Sequence, residues 1–215
     1  VQKRIRVFTG GAPQRVLEQL APAFERATGW YVDVLVKIVG DIQARVLAGD
    51  HPDIILLPHT LMGQIEESIE ILSDGHGALA RVGIGVVTQT GRALPDFSNL
   101  IGFKNLLLQV QHIVVADPRT PTGRHLDKLF DELNIVSQLS EKLIHQGAIH
   151  GGGDLVAEGR ADIGMFLISE VQHLRGVELA GLLPIQARND IVYWSAVPTT
   201  SAHQSAALQF LQFLK

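Results

Sequence analysis

The sequence predicts an α/β protein whose mixed, mostly parallel sheets are covered by helices on both faces. Two observations predict it. Short runs of β-branched and apolar residues alternate with stretches of helical period. Several runs, such as residues 53–57, are almost wholly apolar, which is typical of parallel strands buried on both faces. With 46% hydrophobic residues in a chain of 215, the composition also provides for a sizeable core.

The first elements have the clearest signals. A strand is predicted at 5–9, a Gly-Gly-Ala-Pro turn follows, and a helix extends to Thr28. Pro13 suits the first turn of this helix, where its missing N–H is not needed, and Gly29 suits the left-handed position after the last turn. Four apolar residues recur at spacings that line one face of the helix: Val16, Leu17, Leu20 and Phe24.

The same alternation continues to the end of the chain. Further strands are predicted at 30–36, 53–57, 83–89, 112–116, 147–149, 161–168, 177–183 and 191–197. Further helices are predicted at 42–48, 122–133, 137–145, 152–159 and 201–214. The length suits two lobes. We expect a discontinuous first lobe of residues 1–82 plus 190–215 and a second lobe of residues 83–189.

Composition excludes several functional classes. A net charge of −4 without a basic run argues against nucleic acid as a partner. The absence of cysteine excludes disulfides, thiolate metal sites and a cysteine nucleophile. The nine histidines show no metal-binding spacing, and the hydrolase, zinc-protease and nucleotide motifs are missing, so we expect no metal and no cofactor. No apolar run is long enough to span a bilayer, and any signal peptide is expected to have been removed.

Four predicted strand ends lead through turns that contain glycine or proline into helix starts. These turns occupy residues 9–13, 38–41, 117–124 and 150–154. The first turn of a helix carries unpaired N–H groups and the positive end of the dipole, so it attracts anions. Arg119 or Arg124 and the hydroxyls of the threonines in the turns would add to an anion site if the turns converge. Each turn also suits a purely connecting role.

Two histidines and two aromatic residues also lie where a ligand would bind. His59 and His150 sit at predicted strand ends, where an imidazole donates to an anion or acts as a base, although a structural role is the commoner one for such a histidine. Tyr193 and Trp194 lie on a strand that we expect to cross between the lobes. A ring there would lie close to an inter-lobe cleft.

Several segments together resemble the bacterial solute-binding proteins of the molybdate-binding type, which have the type 2 periplasmic binding fold. The segments are IRVFTGGAPQRVLEQLAPAFERATGWYVDVLV, LAGDHPDIILLP, ARVGIGVVTQTGRALPD, VADPRTPTGRHLDKLFDELNI, EGRADIGMFLISEV and RGVELAGLLP. The resemblance covers nearly the whole chain and implies two lobes that close on a small anion. Carried over by position, and with Arg119 added for its charge, it implies the following ligand residues: Thr9, Gly10, Gly11, Val39, Gly40, Arg119, Thr120, Thr122, Gly123, Gly152, Gly153 and Ser169.

The chain departs from that family at important positions. Gly10, Gly11 and Val39 replace the serines expected in the first two loops, and Leu167 replaces a tyrosine. These changes disfavour a tetrahedral oxyanion such as molybdate and favour an organic carboxylate. The resemblance thus implies a periplasmic, monomeric binding protein that serves an ABC importer.

An enzymatic alternative stays open. Some divergent members resemble aconitate isomerase, so the alternative is a cofactor-independent isomerase of a small unsaturated tricarboxylate. Such an enzyme needs a base close to the carbon acid. Four residues are candidates for this proton transfer: His59, His150, Asp154 and Glu170.

Overall fold

The computed structural model describes residues 3–148 and 151–215, and the chain divides into two compact units. Unit 1 consists of Val1–Arg81 and Val192–Lys215, and unit 2 of Val82–Ile191. Each unit is built around one mixed sheet with helices packed against it. The α/β class and the mixed sheets predicted from the sequence are confirmed, although antiparallel pairs are nearly as frequent as parallel ones among the pairings described.

Unit 1 is built from the two ends of the chain. Its strands are β1 (Arg4–Thr9), β2 (Tyr31–Val36), β3 (Ile54–Pro58), β4 (Gly77–Val82) and β10 (Ile191–Ala196), of which the last two extend to the unit boundaries. Its helices are α1 (Gln14–Thr28), α2 (Val39–Leu47), α3 (His59–Glu66) and α9 (Gln204–Phe213), with a 3-10 turn at Ser73–Gly75.

The sheet of unit 1 has the strand order β2-β1-β3-β10-β4. β1 runs parallel to both β2 and β3, and Thr9 lies opposite Val36 on one side and Leu56 on the other. β10 runs antiparallel to β3. The carboxyl ends of three parallel strands therefore meet at one edge, and the strand order reverses at β1, which is where open α/β sheets bind ligands.

Burial explains the apolar character of β3. All five of its residues are buried, and alternate side chains enter different cores. Ile54 packs in a cluster with Phe24 and Phe210, whereas Ile55 packs in a cluster with Phe8 and Met62. The inference from sequence that this strand is covered on both faces is therefore correct.

Helix α1 follows its predicted limits closely. Gly29 has a φ of 74° and ends the helix in the left-handed conformation, which glycine adopts without steric cost. Phe24 on the buried face contacts Phe210 of α9, with ring centroids 4.9 Å apart. Val16 is 47% exposed, so the buried stripe is narrower than the predicted one.

Unit 2 is one continuous segment. Its strands are β5 (Ile84–Gln89), β6 (Ile113–Val115), β7 (Leu143–His145), β8 (Ile163–Leu167) and β9 (Val177–Leu182). Its helices are α4 (Leu100–Gln109), α5 (Pro121–Glu132), α6 (Val136–Leu139), α7 (Gly152–Ala157) and α8 (Ile168–Val171), with a 3-10 turn at Ile185–Ala187. The strand order is β7-β6-β8-β5-β9, with β6 parallel to β7 and β8 and with β5 antiparallel to β8 and β9.

The prediction for residues 137–149 is wrong. Instead of a helix at 137–145 and a strand at 147–149, the short helix α6 is followed by strand β7 at Leu143–His145. β7 pairs in parallel with β6, so a tertiary partner decides its conformation. Residues 147 and 148 are in no strand, and residue 149 lies outside the described residues. Helices α3, α4 and α8 and strand β4 were not predicted.

Within residues 3–148 and 151–215, no helix is both long enough and apolar enough to cross a bilayer.

Candidate functional site

The first loop of unit 1 follows β1 at the point where the strand order reverses. Thr9 ends the strand and is fully buried, and its Oγ1 has no hydrogen-bond partner among the described residues. Gly10 and Gly11 follow, both buried, and the Gln14 N–H donates to the Gly11 carbonyl at 3.0 Å as α1 begins. A buried hydroxyl without a partner is unfavourable, so Thr9 Oγ1 has a hydrogen bond to gain at this edge of the sheet.

Gly10 shows how closely three elements approach one another in unit 1. A β-carbon added at Gly10 would overlap Val39 Cγ1 and would lie 3.0 Å from Tyr193 OH. Val39 is the buried first residue of α2, and Tyr193 lies opposite Pro58 of β3. Only glycine therefore fits at position 10. Unit 1 thus brings Thr9, Gly10 and Val39 close together.

Tyr193 is a member of this group that the predicted ligand residues omit. It is buried, and its hydroxyl lies beside the Gly10 backbone. The sequence indicated Tyr193 and Trp194 as residues close to a possible cleft. Nothing in the sequence indicated that Tyr193 lies close to Gly10. Gly40 follows Val39 in the first turn of α2, and a side chain at this position would meet no other atom.

His59 begins α3, directly after the carboxyl end of β3. The residue is exposed, and its imidazole lies against the Trp194 indole with ring centroids 4.6 Å apart. His76 contacts the same indole at 4.9 Å, and its Nε2 lies 2.7 Å from Glu66 Oε1. His59 thus occupies the correct edge of the sheet for ligand binding, in contact with an aromatic ring.

The 117–124 turn of unit 2 is built around the cap of α5. The Thr120 hydroxyl donates to the Asp117 carbonyl at 2.7 Å and accepts from the Gly123 N–H at 3.0 Å. A β-carbon at Gly123 would overlap the same Asp117 carbonyl. Thr122 is buried, and its side chain makes no hydrogen bond with another described residue. Thr120 is therefore used for capping, and Thr122 carries the uncommitted hydroxyl.

Arg119 forms a two-point ion pair within its own turn. Its Nε lies 3.0 Å from Asp117 Oδ1, and its Nη2 lies 2.9 Å from Oδ2. The hydrogen bond from Arg119 lowers the pKa of Asp117, although burial of this carboxyl opposes the shift. The Arg119 side chain is 61% exposed. A ligand carboxylate bound by Arg119 would share the guanidinium with Asp117. Arg124 donates to the Arg119 carbonyl at 2.8 Å.

The glycine-rich turn before α7 is close-packed. Gly151 precedes the helix with a φ of 93°. A β-carbon at Gly152 would overlap the Gln146 carbonyl, and one at Gly153 would overlap Leu174 Cδ1. Asp154 is exposed in the first turn. His150, the other candidate in this turn, lies outside the described residues.

Two polar residues follow β8. Ser169 Oγ is buried and has no hydrogen-bond partner among the described residues. Glu170 is partly exposed and makes no hydrogen bond or ion pair within the described part of the chain. Burial among protein atoms raises the pKa of Glu170 to about 7. A carboxyl group in this state exchanges a proton near neutral pH.

The parallel strands of unit 2 lead to loops that hold the predicted residues described above, at one edge of the sheet. β6, β7 and β8 are neighbours in the sheet, and their carboxyl ends lead toward α5, α7 and α8 respectively. Backbone N–H groups and hydroxyls at such an edge suit an anionic ligand. Across residues 3–148 and 151–215, no three His, Asp or Glu residues are grouped to hold a metal ion.

The chain and its fold are similar to several known proteins. A curated relative, aconitate isomerase from a Pseudomonas species, is 27% identical over 216 residues, which covers 97% of this chain and 80% of the relative. The periplasmic molybdate-binding protein of Azotobacter vinelandii has a TM-score of 0.78 at 19% identity, covering 98% of this chain and 92% of that one. The substrate binding protein of an ABC transporter from Agrobacterium tumefaciens has a TM-score of 0.76 at 14% identity, covering 99% and 74%.

The two structural neighbours share the two-unit fold, and their low identity limits the comparison to the fold. A protein-family model also matches nearly the whole chain. A family model described as bacterial extracellular solute-binding protein matches residues 5–215. That range contains every loop described above, from Thr9 to the start of α8. The chain therefore belongs to the bacterial extracellular solute-binding protein family.

Proposed function

We propose that the chain binds a small organic carboxylate through the loops at the carboxyl ends of its parallel strands. One observation carries the proposal. Thr9 Oγ1 and Ser169 Oγ are both completely enclosed by the protein, and neither has a hydrogen-bond partner among the described residues. One follows β1 and the other follows β8, at the edges where α/β sheets bind ligands. An anion that accepts a hydrogen bond from either hydroxyl would relieve a cost of about 1–3 kcal/mol.

The chemistry around Gly10 favours a carboxylate over a compact tetrahedral oxyanion. Gly10 and Gly11 supply backbone N–H groups but no side-chain hydroxyl, and Val39 presents its Cβ and Cγ1 beside Gly10, where the Tyr193 hydroxyl also lies. A ligand with a carbon skeleton gains from these apolar contacts, whereas molybdate or sulfate gains nothing from them.

The family supports a role in import. We place the protein in the bacterial periplasm, as a monomer that delivers its ligand to the membrane subunits of an ABC importer. The family is named for extracellular solute binding, and the Agrobacterium neighbour is named as part of an ABC transporter.

A ligand screen tests the binding proposal. Succinate, tricarballylate, citrate, cis-aconitate and trans-aconitate are compared with molybdate and sulfate by thermal unfolding and calorimetric titration. At a concentration near 100 times its Kd, a true ligand stabilises the folded protein by about 2.7 kcal/mol, and the midpoint rises by roughly 5–10 °C. The proposal is wrong if no carboxylate binds, or if molybdate binds more tightly than every carboxylate.

A matched pair of serine variants locates the site. Ser169→Ala removes the buried hydroxyl and is expected to weaken binding of the best carboxylate about tenfold, the effect of one lost hydrogen bond. Ser137→Ala changes an exposed serine of α6 and should leave the Kd unchanged. Equal affinities of the two variants for the carboxylate would show that Ser169 is not part of the binding site.

A second function is favoured by the relative at 27% identity, which is an aconitate isomerase. Isomerisation needs a group that moves a proton, and Glu170 and His59 are the described candidates best suited to it by position. The test is incubation with cis- and trans-aconitate followed by proton NMR. Interconversion that is lost in Glu170→Gln would establish an enzyme and reject a purely binding role, whereas unchanged isomers would reject the isomerase.

A further inference from the structure

A cavity of about 610 Å³ lies at the amino ends of the parallel strands of unit 1, and we call it the amino-end cavity. Arg4 and Arg6 of β1 line it, together with Asp53, which directly precedes β3. His51 and the segment 200–203, which leads into α9, also belong to its wall. All of these residues are part of unit 1. A cavity of this volume is large enough to hold a small molecule.

The amino-end cavity is separate from the loops of unit 1 that we propose for the carboxylate. Those loops follow the carboxyl ends of β1 and β3, whereas the cavity lies at the opposite ends of the same strands. Arg4 is the first residue of β1 and Thr9 is the last. At about 3.3 Å per residue, the strand places these two positions roughly 16 Å apart. The cavity is therefore a second site within unit 1.

The wall of the amino-end cavity carries more positive than negative charge. Among the described residues that line it, Arg4 and Arg6 are cationic and Asp53 is acidic. Asp53 is buried, and both of its carboxylate oxygens are engaged. Ser201 Oγ donates to Oδ1 at 2.6 Å, and the Arg6 N–H donates to Oδ2 at 2.8 Å. Asp53 thus joins two parts of the wall, and the two guanidinium groups make the cavity attractive to an anion.

Both arginines keep donors for a ligand although each has an acidic neighbour. Arg4 Nη1 lies 3.4 Å from Asp33 Oδ2, in an exposed ion pair of the kind that contributes little. Arg6 Nη2 lies 3.0 Å from Asp50 Oδ1, while Asp50 Oδ2 accepts from Arg45. Asp33 and Asp50 are not among the described lining residues. Because a guanidinium has five N–H donors, each arginine can bind an anion and keep its ion pair.

Three further side chains add hydrogen-bond donors to the wall. The Thr200 hydroxyl and the His51 imidazole make no hydrogen bond with another of the described residues, and both residues are exposed. The His203 imidazole lies against the Trp30 indole with ring centroids 5.0 Å apart, so an aromatic contact holds it beside the cavity. Lys3 Nζ lies 5.8 Å from the centroid of the same indole and adds a positive charge nearby.

This set of donors suits a phosphate group better than a single carboxylate. A carboxylate has two oxygens and one negative charge, so one guanidinium satisfies it. A phosphate monoester has three terminal oxygens and a charge of about −1.5 to −2 near pH 7. Arg4 and Arg6 lie on the same face of β1, because side chains alternate along a strand, so both can serve one ligand. The cavity volume leaves room for an organic group beside the phosphate.

We infer that the amino-end cavity binds a phosphate dianion, as inorganic phosphate or as a small phosphate monoester, through the guanidinium groups of Arg4 and Arg6. The donors of Thr200, His51 and His203 complete the contacts. Binding is non-covalent, and no bond forms or breaks. The inference does not depend on the carboxylate proposal, because the two ligands occupy opposite ends of the strands of unit 1.

The test follows the amide NMR signals of the nitrogen-15 labelled chain at about pH 7. The probes are glycerol 3-phosphate, inorganic phosphate and glycerol, all at the same ionic strength. We expect glycerol 3-phosphate to shift the signals of Asp53 and residues 200–203 saturably, and glycerol to shift none. A lower Kd for glycerol 3-phosphate than for inorganic phosphate would identify the monoester as the ligand, and equal values would identify free phosphate. Either result supports the inference. Saturable shifts confined to Thr9, Gly10 and Gly11, or no saturable shift with either phosphate compound, would overturn it.

Two arginine variants separate the cavity from the effect of net charge. Arg4→Gln removes one guanidinium from the wall and should raise the Kd of glycerol 3-phosphate about tenfold, because hydrogen bonds to a charged group are lost. Arg15→Gln is the matched control. The Arg15 side chain is 49% exposed against 54% for Arg4, and it is likewise ion-paired, with Glu18. Its Kd should stay within about twofold of the wild-type value. Equal effects of the two substitutions would overturn the inference.

A third variant blocks the cavity without changing its charge. Ala202 is exposed and lines the cavity, so a leucine there takes up cavity volume without overpacking the core. Ala202→Leu should raise the Kd of glycerol 3-phosphate at least about fivefold, while thermal unfolding verifies that the variant is folded. A wild-type Kd in both Arg4→Gln and Ala202→Leu would show that phosphate does not bind in the amino-end cavity.

Discussion

Replacing Thr9 by valine is expected to stabilise the free protein and to weaken carboxylate binding. The substitution exchanges a hydroxyl for a methyl group at a residue that is fully buried. Valine keeps the β-branched shape that suits a strand, and the backbone pairing of position 9 with Val36 and Leu56 does not depend on the side chain. The hydrogen bond from the Lys37 N–H to the carbonyl of residue 9, at 3.2 Å, is also retained.

The magnitude follows from the unsatisfied hydroxyl. Thr9 Oγ1 has no partner among the described residues, and a buried polar group in that state costs about 1–3 kcal/mol. Removing it should raise the free energy of unfolding by about 1 kcal/mol. For a chain of this length, that change raises the unfolding midpoint by about 2–4 °C. The same variant loses a hydrogen bond to the ligand, so the Kd should rise about tenfold.

The assay combines thermal unfolding by circular dichroism with calorimetric titration. Thr90→Val is the matched control, because Thr90 is exposed and follows β5, which runs antiparallel to β8. Its midpoint should stay within about 1 °C of the wild-type value, and its Kd should not change. A lower midpoint for Thr9→Val would show that the hydroxyl is hydrogen bonded in the free protein. An unchanged Kd would show that Thr9 lies outside the site, and either result refutes the reasoning.

Three further predictions concern unit 2. Arg119→Ala should weaken carboxylate binding, measured by calorimetric titration, and Arg92→Ala should not, because only Arg119 lies in a candidate loop; equal affinities would contradict this. Gly123→Ala should lower the free energy of unfolding in urea by about 1–3 kcal/mol, because its β-carbon would overlap the Asp117 carbonyl; an unchanged value would contradict the packing. Burial opposes ionisation of Asp162, but backbone N–H donors and Arg92 outweigh it and lower its pKa. The stabilisation of the folded state by ionised Asp162 should therefore be full above about pH 4 and be lost as the pH falls further. In urea titrations, Asp162→Asn should lower the free energy of unfolding at pH 7 and lower it much less near pH 3. The same difference between variant and wild type at both pH values would contradict the assignment.

The buried strands and the longest amphipathic helix were predictable from local pattern. An apolar run such as 54–58 can be buried only between two layers, and the alternation of its side chains between two cores bears this out. The carboxyl end of α1 was likewise predictable from Gly29, whose left-handed conformation ends the helix.

The elements that were missed depend on partners distant in sequence. Strand β7 has only three residues, and its pairing with Ile113–Val115 decides its conformation. Tyr193 joins the Gly10 loop because β10 returns to the first sheet, and no spacing rule connects those two residues. The ion pair of Arg119 with Asp117 spans only two residues, so the sequence did offer a signal for it.

The return of the chain to its first sheet determines the order in which the protein can be completed during synthesis. Unit 2 is continuous and holds all of its strands once residue 191 has left the ribosome. Unit 1 must wait, because β3 has no partner on one side and β4 has none in its sheet until β10 is made. The wholly apolar β3 is then an unprotected edge strand, which is prone to aggregate. The half of the protein that is translated first is therefore the half that finishes folding last.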